Sequence, residues 1–95
     1  MIEDILSEAG RLVGGDRNDS YGDGVVEYNK IAEIFSTMTG KRITASEAVL
    51  LMMVMKLVRE ANKPKRDNLV DLCGYALIAS RIQRDVEEES QLLER

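Results

Sequence analysis

Hydrophobic positions recur with helical spacing in four stretches of the chain, and no stretch alternates convincingly with the two-residue period of a strand. The first covers about Ile2–Val13, where Ile2, Ile5, Leu6, Ala9, Leu12 and Val13 follow the helical repeat and Gly14-Gly15 is the expected stop. A turn-rich loop follows, Asp16-Arg17-Asn18-Asp19-Ser20-Tyr21-Gly22-Asp23-Gly24. The second helix is expected over about Val25–Thr39, with Tyr28, Ile31, Ala32, Phe35 and Met38 on one stripe and Gly40 at its end. Thr44-Ala45-Ser46-Glu47 fits the S/T-x-x-E capping box and opens a third helix over about 45–61. That helix is apolar nearly all round from Ala48 to Val58, and the Pro64 segment breaks it. The fourth, over about 67–88, is apolar through most of Leu69–Ala79 and then turns acidic, so that residues 86–95 are expected to fray. The pattern predicts a single all-α domain over residues 1–95, built as a helical bundle.

Two helices that are apolar all round exceed what four helices in one short chain can cover. A single layer of neighbours hides a stripe of a helix, not its circumference. The missing cover is expected from a second copy, with the third and fourth helices buried in a homodimer or higher oligomer. Met52, Met53 and Met55 suit such an interface, since methionine fills irregular gaps.

Composition narrows the chemistry. The 95 residues contain no histidine and one cysteine, Cys73. This excludes a Ser-His-Asp or Cys-His nucleophile, a Cys/His zinc site, a CxxC redox pair and a disulfide within the chain, and no haem is expected. Any catalysis falls to carboxylates, lysine, arginine, tyrosine or hydroxyls, most naturally around Mg²⁺ or Mn²⁺. The net charge of −4 and pI near 4.8 argue against general nucleic-acid binding. The start, MIEDILSEAG, has acids where a signal peptide needs basic residues, and the apolar run Ala48–Val58 is too short for a bilayer. A soluble cytoplasmic protein with no membrane contact is expected. Basic residues concentrate at Lys41, Arg42, Lys56, Arg59, Lys63, Lys65 and Arg66, which suits either a bound triphosphate or two solvated turns.

Two charges stand out against their surroundings. Lys56 is the only charge within Ala48–Val58, and Asp71 the only one within Leu69–Ala79. Ionised groups in such places need a partner, because desolvation costs several kcal/mol per ion. If the third and fourth helices form an antiparallel hairpin through Lys63-Pro64, residues equidistant from the turn lie level. Lys56 then faces Asp71, and Arg59 faces Asp67. One reading is a zipped hairpin with Lys56–Asp71 buried and Arg59–Asp67 at its mouth, where Asp67 also suits an N-cap. The other makes the cluster a site: Asp67 and Asp71 hold a metal, with Lys56 and Arg59 on phosphate oxygens. Glu47 is explained by its capping box, with metal ligation as the alternative. The loop containing Arg17, Asn18, Asp19 and Tyr21 suits recognition of a base or sugar, or a turn in which Asp23 caps the second helix.

The segments RNDSYGD (17–23), IAEIFS (31–36), ITASEAVLLMMVMKLVRE (43–60) and DNLVDLCGYALIA (67–79) resemble a family of small phage and prophage proteins described as a domain of unknown function. At one remove they resemble the MazG-like all-α nucleotide pyrophosphohydrolases. That likeness implies an oligomeric helical fold in the host cytoplasm that cleaves nucleoside triphosphates with Mg²⁺, through EExxE on one helix and ExxD on the next. Asp71 matches the last position of ExxD, while Asn68 stands where its glutamate belongs. EExxE is absent: the third helix offers only Glu47 and Glu60, with Lys56 and Arg59 in between. Either the site is rebuilt from acids such as Glu27, Glu33 or the loop aspartates, or activity is lost. With Asp71 as central carboxylate, the resemblance points to an enzyme or nucleotide binder. The alternative is a non-catalytic helical dimer that binds a host or phage protein.

Overall fold

A computed structural model describes residues 2–16 and 23–93. Among them are four α-helices, α1 (Ile2–Arg11), α2 (Gly24–Thr39), α3 (Ala45–Asn62) and α4 (Arg66–Leu93), and no strand. The all-α architecture expected from the hydrophobic period is therefore the observed one. None of these helices is long and apolar enough to cross a membrane.

Each junction has a local cause. Oδ1 of Asp23 accepts the N–H groups of Val25 (2.9 Å) and Val26 (3.3 Å), capping α2. Gly24 lets that end approach α4, since a Cβ there would lie 3.0 Å from Ile78 Cδ1. The helix stops at Gly40, whose φ of 72° is left-handed and whose N–H donates to the Ser36 carbonyl. Ser36 then ties down the turn into α3. Its hydroxyl accepts from Ile43 N at 2.8 Å and donates to Ile43 O at 3.2 Å. The predicted capping box is present: Glu47 N–H donates to Thr44 Oγ1, and Thr44 N–H donates back to Glu47 Oε1.

Two boundaries differ from expectation. Gly14-Gly15 does not stop the first helix, because Leu12–Asp16 continues it as a wider π-helical turn. That turn leaves Val13 buried, with its side chain 3.3 Å from where a Gly74 Cβ would stand. At the other end α4 runs to Leu93 as helix rather than ending near Glu88, and its residues from Gln83 onward are exposed.

Helix α4 is the hub, packing against α1, α2 and α3. Tyr28 from α2, Val49 from α3, and Val70 and Ile78 from α4 are the largest fully buried side chains. Tyr28 and Tyr75 meet edge to face, with ring centroids 6.4 Å apart. Helices α3 and α4 form the expected antiparallel hairpin. Val49 and Ile78, equidistant from its turn, belong to the same core.

Candidate functional site

The hairpin brings together the two isolated charges. Lys56 Nζ lies 2.7 Å from Asp71 Oδ2, with the lysine side chain 14% and the aspartate 36% exposed. The lysine stem runs along the apolar inner side of α3, and its head finds the acid at the hairpin's edge. Burial at that level is partial, so the pair sits between an exposed ion pair and a fully buried one.

The mouth of the hairpin departs from expectation. Arg59 and Asp67 are both exposed and do not pair. Asp67 is not the N-cap either: α4 begins at Arg66, which places Asp67 in the first turn beyond the cap. Glu60 closes the mouth instead. One of its oxygens, Oε1, accepts Lys65 N–H at 2.9 Å and Asn68 Nδ2 at 3.2 Å. Asn68 is a buried polar side chain, so this bond satisfies an amide that burial would otherwise penalise. Sequence reasoning missed this clamp. Its signal was an amide immediately before an apolar run, eight residues after an acid at the end of the preceding helix.

Glu47 lies far from this cluster. It is nine residues before Lys56 on α3, about 13 Å along the axis. The Thr44 N–H, and then the Thr44 hydroxyl, hold its carboxyl below the usual carboxylate range. The metal set Asp71, Asp67 and Glu47 is therefore not assembled at one point, and Asp71 already holds an ammonium. Among the described residues no three of His, Cys, Asp and Glu group so as to hold a metal ion. Two carboxylates on one turn, one of them occupied, do not fit a resident two-metal centre. Arg17, Asn18, Asp19 and Tyr21 lie outside the described residues. An open cleft of about 310 Å³ lies at the other end of the hairpin, between α2, the α2–α3 turn and the far half of α4. Asn29, Glu33, Arg42, Thr44, Ile82 and Val86 are in its wall, and the Lys56–Asp71 pair is not.

The largest departure from a self-contained molecule is the outer side of α3. Leu50, Leu51, Val54, Leu57 and Val58 are between 53% and 64% exposed. At 100° per residue they fall on one stripe, opposite the stripe of Ala45, Val49, Met52 and Lys56. No charge interrupts it between Glu47 and Arg59. On α2, Ile31, Ile34, Phe35 and Met38 are also exposed.

Fold and surface together define an all-α protein built around an α3–α4 hairpin locked by one ion pair, with an uncovered apolar helix face. The chain belongs to the family described as Domain of unknown function (DUF6378), whose model matches residues 4–83. It is similar to the Gene 55 protein of Mycobacterium phage D29, at 37% identity over 89 residues, covering 93% of this chain and 59% of that protein. The Gene 55 protein of Mycobacterium phage L5 is 28% identical over 86 residues, covering 88% of this chain and 55% of that one. The chain thus spans under two thirds of the length of these phage relatives. The expected kinship with small phage proteins of a domain-of-unknown-function family is met. No solved structure matches the chain.

Proposed function

We propose that this chain is a non-catalytic helical phage protein that works by self-association, with α3 docking on a second copy. The uncovered stripe Leu50, Leu51, Val54, Leu57 and Val58 carries the reading. The five side chains leave on the order of 500 Å² of apolar surface in water per copy. Docking two copies would remove roughly 1,000 Å², the lower bound of a specific interface before flanking atoms are added. No ion on the stripe has to be desolvated, which removes one of the costs of association. The Lys56–Asp71 pair takes a structural role on this reading, holding the hairpin that presents the face.

Sedimentation equilibrium at micromolar concentration is expected to give a dimer or higher oligomer. Val54→Lys is expected to give a folded monomer with unchanged helix content. A wild-type chain that sediments as a monomer ends the self-association reading. The nucleotide reading is checked alongside it. With a panel of (d)NTPs and Mg²⁺ or Mn²⁺, no pyrophosphate release and no rise in Tm are expected. Pyrophosphate release that Asp71→Asn abolishes would replace the non-catalytic reading with a metal-dependent hydrolase built on Asp71, Asp67, Lys56 and Arg59.

A further inference from the structure

The geometry points to an antiparallel, two-fold pairing of α3 with α3 of a second copy, centred on Val54. This rests on the self-association reading and adds its direction and register.

The stripe is symmetric about Val54. Leu51 and Leu57 lie three residues to either side, Leu50 and Val58 four. An isologous contact sets each position against its mirror image. Antiparallel docking therefore places Val54 against Val54 at the axis, Leu51 against Leu57, and Leu50 against Val58. The longer leucine meets the shorter valine at the flanks, which favours interdigitation over collision.

Charge favours the same direction. Glu47 is exposed near the start of α3, and Lys63 is exposed at its C-terminal cap. Antiparallel docking brings Glu47 level with Ala61, two residues from Lys63 of the other copy, at both ends of the contact. Parallel docking would set Glu47 beside Glu47 and Lys63 beside Lys63. The helix dipoles also oppose each other favourably only when antiparallel. Such rim charges contribute modestly to affinity but select orientation.

The test is site-specific crosslinking of the full chain in a Cys73→Ser background with a short bis-maleimide. Val54→Cys alone should crosslink at least about tenfold faster than Leu50→Cys alone or Val58→Cys alone. A mixture of Leu50→Cys and Val58→Cys chains should recover the fast rate. If Leu50→Cys alone matches Val54→Cys, the antiparallel arrangement is overturned while self-association stands. If the wild type sediments as a dimer but none of these chains crosslinks, α3 is not the interface, and both this arrangement and the proposed docking face fall.

Discussion

Helices α3 and α4 carry similar runs of apolar residues, yet the fold treats them differently. In α4, Asn68, Val70, Gly74, Tyr75, Ile78 and Ile82 are buried, while Leu72, Cys73, Leu77 and Ala79 are half-buried. In α3 only Ala45, Ala48 and Val49 are buried. Neighbours explain the difference: α1, α2 and α3 all pack on α4, whereas α3 packs mainly on α2 and α4. An all-round apolar pattern therefore states how much cover a helix needs and leaves open which molecule supplies it.

The contrast can be broken most directly by truncating one residue from each helix. Ile78→Ala should cost about 2–5 kcal/mol in denaturant unfolding, because a fully buried side chain leaves a cavity. Leu57→Ala should change monomer stability far less, by about 0.5 kcal/mol, at dilutions where the chain is monomeric, since more than half of the residue already stands in water. Comparable losses would mean that α3 is already covered within one chain.

A smaller effect sharpens the picture of α3's inner side. Asp71→Asn should cost about 1–3 kcal/mol by leaving the mostly buried Lys56 without its acid. The double variant Lys56→Met/Asp71→Leu should recover most of that loss, as apolar replacement of both partners commonly does. Losses that simply add across the two sites would show that the charges act independently.

The smallest effect concerns the start of α3. Glu47 is held below the usual carboxylate range by Thr44, so its capping contribution is present above its unfolded pKa and is lost as pH falls through the lower folded value. Stability measured from neutral pH to about pH 3 should fall less steeply in Glu47→Gln than in the wild type. Superimposable pH profiles would remove Glu47 from the cap.

Much of this architecture was legible in the sequence, and the limits have physical causes. The helices, the Thr44–Glu47 box and the Lys56–Asp71 pairing could be read because period, capping chemistry and isolated charges are local or nearly local signals. The hairpin mouth was misread because exposed charges such as Arg59 and Asp67 have water as an adequate partner, so matching heights do not compel a bond. Glu60 prevailed there because Asn68 is buried and needs an acceptor. Gly14-Gly15 was misjudged because glycine permits a wide turn as readily as a stop, and the buried Val13 decided between them. The Ser36–Ile43 staple left no sequence mark, since a serine seven residues before an isoleucine is unremarked until the turn folds.

The hydrophobic effect that packs two apolar helices side by side is non-directional and does not by itself name one alignment. A shift of one helical turn in one direction would set Asp71 level with Glu60, like against like; the opposite shift would set it level with Met52, where no cation waits. Only at the observed alignment, with its 2.7 Å contact, does the carboxylate meet Lys56. The ion pair therefore exists at one alignment of the hairpin and is lost at the alignments one turn to either side, where the carboxylate would meet a like charge or an apolar side chain.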